Sequence, residues 1–319
     1  KNCGTCGIAG RYDEAASGTY AAGTQTQQHS YGSGSCYADD GFDDVKVGGF
    51  VARRQPMWLA TDCQMPLLGQ ASFHSIVGIG PPGQPVVTAK STLDALNGQK
   101  ENYRSSNMAV PESLEKAIKD TQEELRLAEE KPSMIENFGV RTFSECLGKS
   151  QGSPGYLIWN DKTRKGEPGV KQIKVAGNIT WGVSVADMTL FNDRVSDTVA
   201  CKSGCGAIVD TGTSLFAVPT EIYDAIFRQV KEYIGTELPP GAGCSDLSKF
   251  PDLTMQVGGQ KLSFPPSSYI GSIFGQMERG TEKFIRQQRL HDGGCQLLLM
   301  DLGPTQVTTL GPMIILGMP

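Results

Sequence analysis

The chain has 319 residues and a formal net charge of −5, which disfavours a general nucleic-acid binder because such proteins are usually basic. Hydrophobic residues make up 39% of it, and no apolar run approaches the ~18 residues of a membrane-spanning helix. At roughly 150 residues per domain, the length predicts two domains. The three histidines, His29, His74 and His291, do not stand at metal-ligand spacing, so we predict no metal site.

Glycine (39 residues) and proline (18) are abundant, which predicts many short strands joined by tight turns. Hairpin-like patterns predict strands over residues 25–31 and 45–47, with a turn at residues 32–34. The apolar pair Ile76-Val77, closed by Gly78, predicts a short buried strand within residues 73–79.

The pattern changes at residues 112–131, where apolar residues recur at three- and four-residue steps and predict an amphipathic helix. Such a charged helix either docks a partner or lies on the surface with a solvated face, and the surface helix is the commoner case. Further along, strands are predicted over residues 156–159 and 183–190, and a helix over residues 220–234 with Thr220 as its N-cap.

The last third returns to strands within residues 251–270, and the chain ends on the apolar run at residues 313–317. Together these elements predict a mostly β protein with two or three helices.

The spacing of the nine cysteines favours structural disulfides. Cys3 and Cys6 form one close pair and Cys201 and Cys205 another, and a zinc site would have to join them across about 200 residues. Disulfides imply an oxidising compartment. The glycosylation sequon that begins at Asn178 fits a secretory route, although such tripeptides are common by chance.

Two segments match known sequence motifs but lack the structural context that those motifs require. Residues 78–83 fit G-x-G-x-x-G, but Pro81 and Pro82 remove backbone N–H donors that a dinucleotide needs. Residues 148–152 fit G-x-S-x-G, but a hairpin-like stretch and a strand follow, where a nucleophile elbow needs a helix. We therefore predict neither a nucleotide cofactor nor a serine hydrolase.

The run at residues 208–214 is more informative, because it places Asp210 directly after two apolar strand residues. A carboxylate there is costly unless it is hydrogen-bonded. Gly212 lets the backbone approach it, and the Thr213 hydroxyl can donate to it. Such a carboxylate is a candidate for acid–base catalysis. The alternative is a turn acid that caps the helix beginning at Thr220, and this run alone favours neither.

In order and spacing, several segments resemble the pepsin-like aspartic endopeptidases over nearly the whole chain. Residues 210–214 resemble the second of that family's two catalytic aspartate motifs, preceded by a small cysteine loop at residues 201–205. Residues 31–35 resemble the flap that closes over a bound peptide. Residues 76–78 and 315–317 resemble the hydrophobic-hydrophobic-Gly segments, one per lobe, that pack beside the aspartates.

The resemblance implies a mostly β, bilobal fold, with two β-barrel-like lobes, a few helices and a cleft between the lobes. The N-terminal lobe would cover residues 1–175 and the C-terminal lobe residues 176–319. In the family, two aspartates share a proton and activate one water molecule. Asp210 would be one of them, Thr211 would tie the two motif loops together, and Thr213 would hydrogen-bond Asp210. The substrate would be bound by the flap residues Tyr31, Gly32 and Ser33.

The resemblance also implies three disulfides, which are Cys3–Cys6, Cys201–Cys205 and Cys244–Cys295. It offers no pairing for the other three cysteines named here. A Cys36–Cys63 bond, with Cys146 free and buried, is our working hypothesis for them.

One departure from the family matters most: no second Asp-Thr/Ser-Gly occurs in the sequence. Alignment with the family puts the first aspartate roughly ten residues ahead of Lys1, and further strands after Pro319. We therefore expect the given sequence to lack the first strands of the N-terminal lobe and the last strands of the C-terminal lobe.

Two hypotheses follow. In the first, the protein is an aspartic endopeptidase that acts on peptides or proteins without a cofactor, and flanking sequence or a companion chain supplies the other aspartate. In the second, it is a catalytically inactive pepsin-fold binding or structural protein, such as a subunit of a larger complex. Either protein would belong to the secretory pathway, a vacuole or lysosome, or the extracellular space.

Overall fold

The structure, a computed structural model, describes most of the chain as two compact units, Lys1–Val170 and Lys171–Pro319. The residues that it describes are 11–32, 34–65, 68, 73, 75–130, 132–148, 152–177, 179–237, 244, 246–248, 250–272, 285–286, 290 and 294–319.

The first unit contains a three-stranded antiparallel sheet, in which β1 (Ala21–Tyr31) pairs with β2 (Gly34–Val47) and β2 with β3 (Phe50–Gln64). The predicted strands at residues 25–31 and 45–47 lie within β1 and β2, so both are confirmed. The register places Cys36 opposite Cys63, and a disulfide joins them.

Three helices follow the sheet: α1 (Gln84–Ser105), α2 (Glu112–Glu130) and the single turn α3 (Met134–Asn137). Helix α2 confirms the amphipathic prediction, because Leu114 and Ile118 are buried on one face. It packs on α1, and the two helices are joined by the ion pairs Lys100–Glu115 at 3.3 Å and Lys90–Glu129 at 3.2 Å. The unit ends with the hairpin of β4 (Phe143–Cys146) and β5 (Tyr156–Trp159).

The second unit is built on a nine-stranded mixed sheet, counted over the described residues. Its path runs β11–β10–β6–β8–β16–β9–β14, with β7 beside β6 and β15 beside β16. The strands of this sheet and the helix that covers it are β6 (Gly182–Phe191), β7 (Ser196–Ala200), β8 (Cys205–Val209), β9 (Phe216–Val218), α4 (Thr220–Glu237), β10 (Asp252–Val257), β11 (Gln260–Phe264), β14 (Leu299–Asp301), β15 (Val307–Thr308) and β16 (Gly311–Leu316). A separate ladder pairs β12 (Ile270–Gly271) with β13 (Gln296–Leu297).

The second unit buries one large apolar cluster. Helix α4 contributes Tyr223 and Ile226, both 0% exposed, and the sheet contributes Leu190 from β6 and Leu253 from β10. Complete burial of each such side chain stabilises the fold by roughly 1.5–3 kcal/mol. This core fixes the sheet against α4, and it thereby fixes the ends of β8 and β16, where the candidate site lies.

In the first unit, two sequence predictions were wrong and one helix was missed. Residues 75–80 form no strand, and Ile76 and Val77 are 61% and 50% exposed, because no described strand pairs with this segment to cover them. Cys146 is free but exposed, since the short β4–β5 hairpin leaves the end of β4 open to solvent. Helix α1 was not predicted because its apolar residues follow no single face, and Ala89 is its only buried residue among those described.

Candidate functional site

Asp210 lies where β8 ends, beside the neighbouring parallel strand β16. Residues 206–209 of β8 pair in register with residues 313–316 of β16, and the Asp210 backbone N–H donates to the Leu316 carbonyl at 3.0 Å. On the other side of β8, the Val209 N–H donates to the Trp181 carbonyl at 3.0 Å. The main chain is therefore held on both sides immediately before the carboxylate.

The Asp210 carboxylate is fixed by the turn that follows it. The Gly212 N–H donates to Oδ1 at 2.8 Å, and the Thr213 hydroxyl donates to Oδ2 at 2.7 Å. Each oxygen thus accepts one bond from a residue of its own turn, and Thr211 is exposed beside them. A carboxylate has about four lone-pair sites, so this one keeps capacity to accept from a water molecule. Both donors belong to this turn and not to α4, so these bonds do not support the alternative that Asp210 caps that helix.

Two glycines let the backbone close around this carboxylate. A Cβ on Gly317 would lie 2.2 Å from the Leu215 carbonyl oxygen and 2.4 Å from that of Thr213. Any side chain would clash with the backbone at these distances, so the position requires glycine. A Cβ on Gly212 would come within 3.0 Å of Asp210 Oδ1. The segment after β16 therefore lies directly on the turn, and the Met318 N–H donates to the Thr213 carbonyl at 2.9 Å.

The candidate flap residues lie in the first unit. Tyr31 is the last residue of β1, opposite Gly34, and its side chain is 44% exposed. Gly32 stands in the turn that follows, with open space where a Cβ would be. Ser33 lies outside the described residues, and so do Cys3, Cys6 and the sequon residue Asn178.

Three disulfides lie within the described part of the chain: Cys36–Cys63, Cys201–Cys205 and Cys244–Cys295. The second of them closes a small loop immediately before β8, where the Gly204 N–H donates to the Cys201 carbonyl at 3.1 Å. These bonds fit the secretory pathway or the extracellular space. No described helix is both long enough and apolar enough to cross a membrane.

Sequence reasoning missed a second carboxylate cluster in the second unit. Asp301, at the end of β14, is 7% exposed and accepts from the Thr220 hydroxyl at 2.7 Å and from Arg286 Nε at 2.6 Å. Arg286 also pairs with Asp224 of α4 at 2.6 Å. Burial would raise the pKa of Asp301, but the Thr220, Gly303 and Arg286 donors outweigh it and lower that pKa.

This cluster fastens the first turn of α4 to β14. Thr220 is the first residue of the helix, and its hydroxyl donates to a neighbouring strand, whereas an N-cap would use it as an acceptor. No local signal in the sequence could reveal a contact between residues about 80 positions apart. Among the described residues, no three His, Cys, Asp or Glu side chains converge as metal ligands would.

Comparison with known proteins shows which family this chain matches. A family model described as eukaryotic aspartyl protease matches residues 1–105 and 139–288, and the gap between the two stretches contains α2. Pepsin A of Bos taurus is 26% identical over 277 residues, which span 85% of this chain and 63% of that protein. Pepsin A of Gallus gallus is 24% identical over 311 residues, spanning 96% and 66%. Gastricsin of Homo sapiens is 26% identical over 285 residues, spanning 87% and 62%.

The chain therefore spans about three fifths of the length of the curated relatives that it matches.

Proposed function

We propose, since the chain belongs to the eukaryotic aspartyl protease family, that Asp210 is one of the two catalytic aspartates of an aspartic endopeptidase. The observation that carries this proposal is the Asp210 carboxylate itself, which sits at a strand end with one hydrogen bond on each oxygen. A fixed carboxylate with spare acceptor capacity suits a group that must hold a water molecule and take its proton.

The proposed reaction is hydrolysis of a peptide bond. One aspartate of the pair is ionised and takes a proton from the water as that water attacks the peptide carbonyl, while the other protonates the developing oxyanion. Two such groups titrate as a coupled pair, so the pH profile belongs to both. Thr213 and Gly212 position the Asp210 carboxylate, Thr211 ties the two motif loops together, and the flap residues Tyr31, Gly32 and Ser33 bind the peptide.

Under this proposal the second aspartate would come from sequence outside residues 1–319 or from a companion chain, because residues 1–319 contain one Asp-Thr/Ser-Gly motif. Intact-mass measurement and terminal sequencing of every chain in the natural protein test this point. We expect a chain or companion peptide with a second Asp-Thr/Ser-Gly. The working compartment would be a vacuole or lysosome, or the extracellular space.

The decisive experiment is the Asp210→Asn substitution in the natural, full-length protein, with peptide hydrolysis followed at acid pH. Loss of a proton-transferring carboxylate should lower kcat/KM by about 10²–10⁴-fold. The matched control is Asp193→Asn, an exposed aspartate between β6 and β7 in the same unit, which should keep full activity. Equal activity of the two variants would overturn the assignment of Asp210.

A second candidate function is a pepsin-fold binding or structural protein without peptidase activity. The observation that favours it is again the single Asp-Thr-Gly motif. The same assay separates the two functions: a natural protein that binds peptides but hydrolyses none at any acid pH would favour the binding protein.

A further inference from the structure

His29 occupies an unusual place at the end of the first unit's sheet. It lies on β1, two residues before Tyr31, and directly opposite Cys36 on β2. Cys36 is in turn bonded to Cys63 on β3. The strand pair beside His29 is therefore covalently fixed, whereas β1, at the edge of the sheet, depends on non-covalent contacts at this point.

The His29 ring packs against an aromatic ring from β3. Its centroid lies 4.7 Å from that of Trp58, and the two rings meet edge to face at 61°. The Nε2 atom is shielded from solvent and has no hydrogen-bond partner among the described residues. Shielded polar atoms usually have a partner, so this nitrogen is tolerable only while the ring is neutral.

Several charged groups of the neighbouring elements have partners other than His29, and Asp62 on β3 is exposed. On β2, Asp39 accepts from the Thr26 hydroxyl at 2.7 Å, and Asp40 accepts from the Gln25 N–H at 2.8 Å. On α2, Glu124 accepts from the side chain of Gln27 at 3.4 Å.

On β3, Arg53 pairs with Asp44, and Arg54 lies over the Phe42 ring at 4.6 Å. Cys36 and Cys63 are in a disulfide and do not titrate. Burial lowers the pKa of His29 from its ordinary value of 6.5, because it disfavours the charged form of the ring.

We propose that His29 is a pH-sensitive latch for the end of the β1–β2 hairpin. The neutral ring, packed on Trp58, holds the last residues of β1 in the sheet. The protonated ring carries a charge and a second N–H donor that the site cannot accommodate, so it moves into water and frees Tyr31 and Gly32.

The sign follows from the lowered pKa. Above about pH 6.5 the ring is neutral in both the packed and the released state, and the latch has its full strength. Below that pH the released state binds a proton that the packed state does not. Packing therefore weakens by up to about tenfold per pH unit, until the packed ring protonates as well.

The latch would regulate peptide access to the site, and that consequence rests on the proposed function. As the pH falls, Tyr31 and Gly32 would be released at the acid pH at which aspartic endopeptidases act. The latch itself is a property of the hairpin and can be measured without substrate.

The test combines two measurements on the full chain between pH 8 and pH 4.5. Tryptophan emission should change with a midpoint below the ordinary histidine pKa, because a histidinium beside Trp58 differs from a neutral ring. Hydrogen exchange of peptides covering residues 21–32, corrected for the intrinsic pH dependence, should rise by up to about tenfold per pH unit in the same range.

Four variants assign the change. His29→Phe keeps an aromatic ring against Trp58 without a titrating nitrogen, and it should lack both transitions. Trp58→Phe should lose the emission change, which separates it from the signals of Trp159 and Trp181. His74→Gln and His291→Gln remove the other two histidines and should leave both transitions in place.

Persistence of both transitions in His29→Phe would overturn the latch. If that variant fails to fold, wild-type exchange over residues 21–32 decides, because a rate that stays constant below pH 6.5 also overturns it. The proposed function fails separately: transitions in a natural protein without peptidase activity leave the latch standing. Acid peptidase activity without the transitions removes the latch alone.

Discussion

The two units are stabilised in different ways. The second unit buries a continuous apolar cluster to which α4, β6, β8 and β10 all contribute. The described part of the first unit has two small clusters, one around Cys36, Cys63 and Met65 and the other around Ala52 and Phe138. It also buries carboxylates in its sheet, with Asp40 6% and Asp43 5% exposed.

This contrast shows which interactions stabilise each unit. In the second unit, the apolar core fixes the backbone on which Asp210 lies, so the site is built on regular strands. In the first unit the described apolar clusters are small, so hydrogen bonds to buried carboxylates contribute a larger share of the stability. Hydrogen bonds to carboxylates respond to pH, whereas apolar contacts do not.

The largest expected effect comes from truncating the apolar core of the second unit. Leu253→Ala removes a side chain that is 1% exposed within a large, well-packed cluster. Little collapse is available there, so we expect a loss of about 4 kcal/mol in the free energy of unfolding, measured by urea denaturation. Ile135→Ala in the first unit, 3% exposed but in a small cluster, should cost about 2 kcal/mol.

Leu147→Ala is the control, because that side chain is 58% exposed and its truncation should change stability by no more than about 0.5 kcal/mol. Equal losses for Leu253→Ala and Ile135→Ala would show that the first unit is as tightly packed as the second.

A smaller effect, dependent on pH, is expected in the first unit at Asp43. Burial would raise the pKa of this carboxyl, but hydrogen bonds from the Thr19, Tyr12 and Ser17 hydroxyls and the Asp44 N–H bring it down to about 2. The ionised form is therefore stabilised by folding. That stabilisation is complete above the ordinary pKa of 3.8 and is lost as the pH falls towards 2.

Asp43→Asn should lower the free energy of unfolding by about 2 kcal/mol at pH 7, as measured by urea denaturation. The difference from wild type should shrink as the pH is lowered from 3.8 towards 2. Asp62→Asn, an exposed aspartate on β3, is the matched control and should behave like wild type at both pH values. A difference at Asp43 that is constant with pH would show that shape, and not charge, explains the loss.

The sequence predicted the fold well where local pattern and tertiary contact agree. Helix α2 and strand β6 have clear periodicities that the packing then uses. Helix α1 contains Pro85 and Gly98 and has no consistent apolar face, so periodicity could not indicate it. The segment around Ile76 and Val77 has the composition of a strand, but composition cannot provide the neighbouring strand that a sheet requires.

The register of the β2–β3 pairing could not be predicted from the sequence either. The β2–β3 hairpin begins with Val47 opposite Phe50, and an unbroken ladder from there would place Cys36 opposite Thr61. Two irregularities, near Asp43 and near Tyr37, move it to Cys63. The Cys36–Cys63 disulfide therefore depends on bulges that no pattern in the sequence predicts.

The candidate site was predictable to the extent that it is local. The groups that fix the Asp210 carboxylate come from residues two and three positions later, so the run at residues 208–214 already contained them. The contact with Leu316 depends on the β8–β16 pairing, and only the resemblance to a family suggested it. The Asp301–Arg286–Asp224 cluster joins residues far apart in the chain, and no motif marked it.

The smallest expected effect is on the surface of α2, where Arg126 donates to Glu123 at 2.7 Å and 2.9 Å and to Glu130 at 2.7 Å. These neighbouring carboxylates raise the pKa of Arg126, but all three side chains are more than half exposed. Water and salt screen such pairs, so Arg126→Gln should shift Tm by no more than about one degree at 150 mM salt.

Ile118→Ala on the same helix is the comparison, because that side chain is 7% exposed and lies on the buried face of α2. It should lower Tm by several degrees, since truncating a buried isoleucine costs about 2 kcal/mol or more. A larger shift for Arg126→Gln than for Ile118→Ala would mean that charge, and not the apolar face, holds α2 in place. The first unit would then depend on electrostatics at its helices as well as in its sheet, and its stability should fall steeply with added salt.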